Sequence, residues 1–308
     1  MTQTRIIEIS EDGKTLAVER GFLIVRENNI EIGKIPLDSI LSVVCTCLYA
    51  TITTGTIEKL AQNGIPLIIC TRKTKVPTSI IIPLECNYRQ ADVIQAQADA
   101  TLPQRKRIWQ KIVSAKLLQQ SSVLEYFNKI DVSKRLKTYS QLVKSGDSDN
   151  LEGQGAAYYW KALMGDTFRR DKNAEDSNIL FNYAYTILRA ATLRALCSAG
   201  LHPSLGVHHK TSTNKCRLAD DLMEPFRPLF DIEVKTIIHD SGEKLTNNAK
   251  RILCSVLEKR YLHNGQISAV KQIITETAIA PTKYYLHEVS EFNLCPIKIK
   301  NLKQEYLL

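Results

Sequence analysis

Glu152, His209 and Glu224 are side chains of the types that hold a divalent cation beside a phosphate. Two carboxylates and an imidazole together bind Mg²⁺ or Mn²⁺ and leave coordination positions open for water or a hydroxyl group. Such a site suits nuclease or DNA strand-transfer chemistry, because the cation stabilises charge at a phosphodiester. The fold must therefore bring three distant stretches of the chain together.

Glu152 stands at the start of a predicted helix that contains Gly153 and Gly155. A glycine inside a helix costs roughly 1 kcal/mol relative to alanine, which indicates the close approach of another group. The structural alternative is a first-turn glutamate that only satisfies the helix dipole, with glycines that only allow helix packing.

His208 and His209 end a Pro- and Gly-containing connection that begins at Gly200. Connections of this kind often present functional side chains. Adjacent side chains of extended chain point to opposite sides, so at most one of the two histidines faces a given site.

Asp221 and Glu224 lie three residues apart on one face of a further predicted helix, close to Arg227. Two carboxylates and an arginine are suited to a metal and phosphate cradle. Surface acids near a helix start are the alternative interpretation, and Pro225 would then shape or kink the helix.

The elements that carry these residues divide the chain in two. Up to about residue 96, short β-branched runs separated by turn signals predict small antiparallel strands and one helix, Thr54 to Asn63. From residue 97 to 308 the hydrophobic period is 3.6, which predicts mainly helices. These helices are expected near the following segments: Gln104 to Asn128, Val132 to Lys144, the stretch after Asn150, Asp176 to Gly200, Leu218 to Phe226, Val234 to His239, Asn247 to Arg260 and Ser268 to Ile279.

Composition and charge narrow the class of protein. The 308 residues are 44% hydrophobic and 24% charged, as in a globular protein, and no apolar run reaches the length of a membrane span. We expect a cytoplasmic protein whose eight scattered cysteines are buried free thiols. The net charge of +9 arises entirely after residue 96, which favours a polyanionic partner for the helical part, although a solvated basic surface remains the alternative.

The motifs together resemble a known family. Glu152 before Gly153, the Tyr-rich helix from Asn178, the Gly200-Leu-x-Pro-x-Leu-Gly-x-His-His stretch and Asp221-Leu-Met-Glu-Pro-Phe-Arg-Pro are similar to the universal CRISPR-associated integrase, the endonuclease subunit of spacer acquisition, and most similar to its type II branch. The resemblance covers nearly the whole chain. It implies an α+β protein with an N-terminal β-sandwich dimerisation domain, residues 1–96, and a larger all-helical catalytic and DNA-binding domain, residues 97–308.

The resemblance also implies which residues act. Glu152, His209 and Glu224 correspond to the family's catalytic ligands for Mg²⁺ or Mn²⁺, with Asp221 and His208 as auxiliary or alternative positions; the Gly-x-x-His spacing from Gly206 favours His209 over His208. Basic residues are hypothesised to contact DNA phosphates. These are Arg105, Lys106, Arg107, Arg169, Arg170, Arg227 and Lys250.

The implied activity is the joining of 3'-hydroxyl ends of foreign DNA fragments to the CRISPR array at repeat boundaries. The implied assembly is two homodimers bridged by the second CRISPR-associated adaptation protein, and the type II branch adds contacts with other type II CRISPR proteins. Two alternatives from other classes are a non-catalytic DNA-binding scaffold and a stand-alone metal-dependent repair nuclease.

Overall fold

A β-rich part precedes a larger, mainly helical part in the computed structural model, which describes residues 5–70, 77–81, 87–171, 173–174, 176–294 and 297–299. The α+β class expected from the sequence is confirmed. Two of the eight cysteines, Cys86 and Cys295, lie outside the described residues.

One four-stranded sheet is built from consecutive hairpins. Strands β2, β3 and β4 pair antiparallel, and β6 is added parallel to β2. The turn between β3 and β4 places Asn28 and Asn29 at φ 49° and 65°, a left-handed conformation that asparagine tolerates. The strands of this sheet are β2 (Lys14–Glu19), β3 (Phe22–Glu27), β4 (Ile30–Pro36) and β6 (Ala50–Ile52).

The second sheet, in the order β1-β5-β7-β8, is mixed. Strands β1 and β7 run parallel to β5, whereas only antiparallel strands were expected from the sequence. Long connections are the reason. The helix α1, Thr54–Gln62, lies between β5 and β7, and three strands of the other sheet lie between β1 and β5, so each connection is long enough for a parallel return. The strands are β1 (Arg5–Ile9), β5 (Ile40–Cys45), β7 (Leu67–Cys70) and β8 (Pro77–Ile81).

The mixed sheet is covered on both faces. Every residue of β5 is buried, as the continuous apolar run requires. Val43 and Cys45 share a core with the other sheet through Leu16 and Leu23, which gives the sandwich-like arrangement. Leu41 and Val44 join the larger core of the helical part instead. The two parts are therefore packed together through β5.

The helical part begins with α2, which crosses the boundary expected at residues 96 and 97. The 25-residue helix α3 lies at its centre, contacts α4, α5 and α8, and starts at a capping box between Thr101 and Gln104. The helices are α2 (Gln90–Ala98), α3 (Leu102–Tyr126), α4 (Ile130–Leu142), α5 (Leu151–Met164), α6 (Asn178–Ser198), α7 (Arg217–Leu222), α8 (Arg227–Ser241), α9 (Asn247–Ser255) and α10 (Val270–Tyr285).

The expectation of an exclusively helical second part needs one correction. The helix expected to continue to Arg260 ends at Ser255, and a hairpin of β9, Arg260–His263, and β10, Gln266–Ala269, follows. Asn264 and Gly265 form its two-residue turn with φ 50° and 77°. Asn-Gly is a strong hairpin signal, and it stands in the sequence beside a β-branched and aromatic run.

Two further expectations concern thiols and membranes. The six cysteines that the structure describes form no disulfide, and five of them are buried while Cys254 is half-buried. Burial raises the pKa of Cys45 to about 12, which leaves it protonated and unreactive at neutral pH. Among the described helices, none combines the length and the apolar character that a bilayer span needs.

Candidate metal centre

Glu152 is fixed at the first turn of α5 by a capped helix start. Asn150, at φ 52°, accepts a hydrogen bond on its side chain from the backbone N–H of Gly153 at 3.2 Å. The carboxylate of Asp147 accepts hydrogen bonds from the N–H groups of Leu151 and Glu152 at 2.9 and 3.0 Å. Three N–H groups that would otherwise lack a partner are thereby hydrogen-bonded. The backbone position of Glu152 is therefore fixed.

Gly155 allows α5 to pack closely on the central helix α3. A Cβ atom at this position would lie 2.2 Å from Leu117 Cδ2, well inside van der Waals contact. For Gly155 the structural alternative is therefore confirmed: the group that approaches closely is a neighbouring helix. The close packing sets the distance between Glu152 on α5 and the residues of α3.

The loop that carries His208 and His209 is anchored by Gln97 of α2. This buried amide donates to the carbonyl oxygens of His202 and Leu205 at 3.0 and 2.8 Å and accepts from the N–H of His202 at 2.8 Å. The sequence interpretation did not identify Gln97 as a positioning residue. A glutamine that is only 4% exposed near a helix end gives no sequence signal beyond its position in the helical period.

Gly206 brings the same loop against α7. A Cβ atom here would lie 2.6 Å from Arg217 Cβ and 3.0 Å from Asp221 Oδ2. The backbone N–H groups of the next two residues, Val207 and His208, donate hydrogen bonds to Asp221 Oδ2 at 2.7 and 3.1 Å. The absence of a side chain at residue 206 thus lets the histidine loop wrap around one carboxylate.

Asp221 also orients His209. Its Oδ1 atom lies 2.6 Å from His209 Nδ1 and accepts from the His209 N–H at 3.2 Å, while the Asp221 side chain is fully buried. The hydrogen bond to Asp221 raises the pKa of His209, although burial opposes this. A carboxylate behind one ring nitrogen fixes the tautomer and leaves the other nitrogen, Nε2, as the available ligand atom. Asp221 is accordingly placed to support His209 rather than to bind an ion itself.

His208 has a different environment from its neighbour. Its ring stacks on Trp109 of α3, with 4.0 Å between ring centroids and 5° between planes. His209 meets the same indole edge-on, at 6.2 Å and 80°. Because the two rings are held in different directions, the geometry favours His209 as the ligand of the pair.

Glu224 lies at the start of a 3-10 turn, Glu224–Phe226, between α7 and α8. Its side chain is almost completely buried, and Oε1 pairs with the guanidinium of Arg227 at 3.1 Å. Pro225 lies in this turn, which separates α7 from α8, so the expected interruption of the helix is found here. Burial raises the pKa of Glu224, but the positive charges of Arg227 and Lys116 outweigh that effect and hold the pKa below its usual range. The carboxylate is ionised at neutral pH.

Lys116 joins the two predicted carboxylates. Its ammonium nitrogen lies 2.6 Å from Glu152 Oε1 and 2.7 Å from Glu224 Oε2, and the side chain is 10% exposed. Burial lowers the pKa of Lys116, but the charges of Glu224 and Glu152 prevail and raise it above its ordinary value. The sequence interpretation missed this residue. Its signal is a lysine four residues after Ile112, on the stripe of α3 that is otherwise buried.

The predicted triad is therefore brought together in part. Glu152 and Glu224 meet around Lys116, and His209 is near enough to Glu224 for that carboxylate to contribute to its raised pKa. Within the described residues, however, no three carboxylate, imidazole or thiol groups already form a metal-binding cluster.

The donor atoms nevertheless fit a divalent cation. Glu224 Oε2 is buried, and its charge is matched by the Lys116 ammonium 2.7 Å away. A buried carboxylate oxygen needs a cation or a donor beside it, and a divalent cation meets that need as well as an ammonium does. Two carboxylates and a carboxylate-backed imidazole are suitable ligands for Mg²⁺ or Mn²⁺.

The basic residues expected to contact DNA divide into two groups. Lys106 and Arg107 at the start of α3 and Arg169 after α5 are exposed. Arg105 is half-buried. Arg170 points inward and donates to Asn178 Oδ1 and Asn182 Oδ1, both at 2.8 Å.

Like Arg170, two more of the expected DNA contacts have partners within the protein. Lys250 pairs with Glu8 of β1 at 3.4 Å, across the junction of the two parts. Arg227 pairs with Glu224 inside the site and lies over the ring of Tyr185, 4.8 Å from its centroid. The geometry therefore favours Lys106, Arg107 and Arg169 as contacts for an external phosphate.

A buried polar network supports the site from behind. Asp231 of α8 accepts hydrogen bonds from the hydroxyls of Tyr159 and Tyr185, at 2.9 and 2.7 Å. Burial raises the pKa of Asp231 to about 7, although the two hydroxyls oppose this. Tyr185 in turn stacks with Arg227, so the network reaches Glu224 through the Arg227 guanidinium.

Comparison with known proteins agrees with this architecture. The Cas1 endonuclease of Neisseria meningitidis serogroup C is 31% identical over 298 residues, which span 94% of this chain and 96% of that protein. A solved casposase bound to its integration product superposes with a TM-score of 0.76 at 20% identity, covering 94% of this chain and 93% of that one. A chain of a solved Cas6-RT-Cas1–Cas2 complex gives 0.73 at 20% identity, covering 96% of this chain and 36% of that longer one.

The family model of the CRISPR associated protein Cas1 matches residues 7–248, which include Glu152, His209 and Glu224. The match begins in the mixed sheet and ends in α9, so it includes both parts of the fold. The family expected from the motifs is thereby confirmed. This chain belongs to the CRISPR associated protein Cas1 family.

Proposed function

We propose that this chain is the metal-dependent DNA endonuclease and integrase of CRISPR adaptation. It joins the 3'-hydroxyl ends of foreign DNA fragments to the CRISPR array at repeat boundaries. The observation that carries the proposal is the convergence of Glu152 and Glu224 on one point beside His209, in a member of the Cas1 family. The endonuclease name of the Neisseria relative and the integration product held by the similar casposase support the same chemistry.

The proposed reaction is a transesterification. The oxygen of the incoming 3'-hydroxyl bonds to the phosphorus of a phosphodiester at the repeat boundary, and the bond from that phosphorus to the array's 3'-oxygen breaks. One proton leaves the attacking hydroxyl, and one is taken up by the departing oxygen. The number of phosphodiester bonds is unchanged, so no external energy source is needed.

The chain's own residues have separate roles in this reaction. Glu152, His209 and Glu224 would hold Mg²⁺ or Mn²⁺, which when bound stabilises charge on the scissile phosphate and aligns or deprotonates the attacking hydroxyl. Asp221 keeps the His209 ring in one orientation through the 2.6 Å contact to Nδ1. Arg227 lies next to Glu224 and supplies a positive charge near the place where a phosphate would enter.

DNA is proposed to approach over the start of α3. Lys106 and Arg107 are exposed there, on the helix that also carries Lys116. Arg169 supplies a further exposed positive charge beyond the end of α5. Release of counterions from DNA phosphates by such residues gives binding that does not depend on sequence.

The proposed assembly has two kinds of protein contact. Strand β4 is at the edge of its sheet and exposes Ile30 and Ile32, by 69% and 51% of their surface. An exposed apolar edge strand is suited to pairing with a second copy, so we assign homodimerisation to the β-rich part. The similar solved complex contains Cas2, and we propose that Cas2 bridges two dimers of this chain. Contacts with other type II CRISPR proteins follow from the type II resemblance alone.

A strand-joining assay with purified protein tests the proposal. The substrate is a short duplex with free 3'-hydroxyl ends, and the target is a plasmid that contains a repeat; reactions are run with and without Cas2, and with Mg²⁺, Mn²⁺ or a chelator. We expect joining at repeat boundaries that requires the metal and is increased by Cas2. A DNA-binding scaffold would give no joining under any condition. A repair nuclease would give metal-dependent cleavage with no preference for the repeat and no response to Cas2.

A further inference from the structure

The two carboxylates proposed to bind the metal are already paired with positive charges. Glu152 and Glu224 contribute two negative charges, while Lys116 and Arg227 contribute two positive charges within ion-pair distance of the same carboxylates. Both Glu224 and the Lys116 ammonium are in a strongly buried environment. A divalent cation bound to the same carboxylates would be repelled by these two positive charges, and the repulsion is strong in a region of low dielectric.

Of these two basic residues, Lys116 is better placed than Arg227 to move away from the carboxylates. Arg227 pairs with Glu224 at 3.1 Å and lies over the Tyr185 ring at 4.8 Å, and its backbone is fixed as the first residue of α8. In the described part of the chain, the ammonium of Lys116 has contacts with Glu152 and Glu224, the two proposed ligands themselves. A lysine ammonium is a compact charge on a flexible four-carbon stem, whereas a stacked guanidinium is constrained by its plane.

We propose that Lys116 is a built-in competitor for the metal. Its ammonium holds the two carboxylates together before the cation binds and must leave them when Mg²⁺ or Mn²⁺ takes up the same oxygens. Lys116 is thus a positioning residue that pre-assembles the site and weakens its affinity for divalent cations. This inference rests on the proposed function only in requiring that Glu152 and Glu224 bind the cation.

The competition has a consequence for substrate binding. Once displaced, the Lys116 ammonium needs a new counter-charge, and a DNA phosphate beside the metal supplies it. Occupation of the site by metal and by DNA should therefore be mutually favourable, since each removes the charge imbalance that the other leaves.

Equilibrium binding of Mn²⁺ to the full-length protein, followed by the electron paramagnetic resonance of free Mn²⁺, tests the competition. In Lys116→Met the competing charge is gone, and we expect the Kd for Mn²⁺ to fall at least tenfold. The metal-free variant should unfold at a lower temperature than the wild type, and Mn²⁺ should restore most of that loss. Lys111→Met, an exposed position on the same helix, is the matched control and should change neither quantity.

A second measurement avoids the variant altogether. In the wild type, the rate at which a lysine-acylating reagent labels Lys116, read by mass spectrometry of its peptide, should rise when Mn²⁺ is added. A Mn²⁺ affinity that is unchanged or weaker in Lys116→Met, or labelling that Mn²⁺ leaves unchanged, would overturn the inference. Failure of the proposed function is distinguishable: in that case the wild type and Glu152→Gln would bind Mn²⁺ equally weakly.

Discussion

Asp221 Oδ1 lies 2.6 Å from His209 Nδ1, and the aspartate that makes this contact is fully buried. Outer partners of this kind orient a metal-binding histidine, and their loss commonly costs 10- to 100-fold in metal affinity. We expect Asp221→Asn to weaken Mn²⁺ binding by about that factor while the protein remains folded. Isothermal titration calorimetry measures the change.

Asp220 provides the matched control for this variant. Its buried carboxylate pairs with Arg189 at 2.6 Å and accepts from Asn214 at 2.8 Å, and those contacts do not include His209. Asp220→Asn removes a neighbouring buried charge of the same kind. It should leave the Mn²⁺ affinity within twofold of the wild type. Equal losses in the two variants would show that Asp221 acts only on folding.

A substitution at Gly155 tests the helix packing that positions Glu152. A Cβ atom at this position would lie 2.2 Å from Leu117 Cδ2, so in Gly155→Ala either the buried Leu117 side chain must take another position or α5 must shift relative to α3. We expect a loss of about 1–3 kcal/mol in the free energy of unfolding, measured by urea denaturation. Gly55→Ala in α1 meets no atom within 4 Å and should be neutral or stabilising. If Gly155→Ala proved as stable as the wild type, the side chains of α3 would have room to adapt, and Gly155 would not set the spacing of the two helices.

The raised pKa of Asp231 predicts that the free energy of unfolding depends on pH. Burial raises its pKa in the folded protein to about 7, against 3.8 for an ordinary aspartate. Between these values the folded state retains a proton that the unfolded state has lost. The contribution of this residue to the free energy of unfolding is therefore complete at low pH and falls by about 1.4 kcal/mol per pH unit until pH about 7.

Asp231→Asn isolates this effect, because the amide keeps the size of the carboxyl group and still pairs with Tyr159 and Tyr185. We expect the difference in unfolding free energy between the variant and the wild type to shift in favour of the variant as pH rises from about 4 to 7. Urea denaturation at several pH values provides the measurement. A difference that stays constant over this range would contradict the assignment of a raised pKa.

Binding of duplex DNA is expected to weaken steeply with salt. Each phosphate contact contributes nearly one unit to the slope of log K against log salt concentration. The double variant Lys106→Gln and Arg107→Gln should lower that slope by about two and weaken binding. Lys34→Gln with Lys59→Gln removes equal charge from the β-rich part and should have little effect. Fluorescence anisotropy measures DNA binding by both double variants at several salt concentrations. Equal slopes for the two variants would show that the DNA does not contact the start of α3.

Much of the fold could be predicted because it follows from local patterns. Helix α3 depends on the periodicity of apolar residues such as Ile108 and Ile112. The hairpin between β3 and β4 depends on its turn residues, Asn28 and Asn29. The parallel pairing of β1 with β5 could not be predicted in the same way, because no local pattern specifies which distant strand becomes a neighbour.

The candidate site shows the same division. The sequence picked out Glu152, His209 and Glu224, since acidic and imidazole groups next to glycine and proline are conspicuous. It did not indicate Lys116, which contacts two of them, because a lysine inside a long helix usually faces solvent. The spacing from Gly206 favoured His209 over His208 as the ligand, but the separate environments of the two rings depend on the positions of Trp109 and Asp221, which no local pattern specifies.

The most direct test of the account is strand joining into a repeat-containing plasmid by Glu152→Gln, His209→Gln and Glu224→Gln, each compared with Asp220→Asn in Mg²⁺ and in Mn²⁺. We predict that each of the three variants lowers the joining rate by at least 100-fold while dimerisation and most DNA binding persist, and that Asp220→Asn joins as the wild type does. Undiminished joining by the glutamate variants would contradict the claim that these carboxylates hold the catalytic metal.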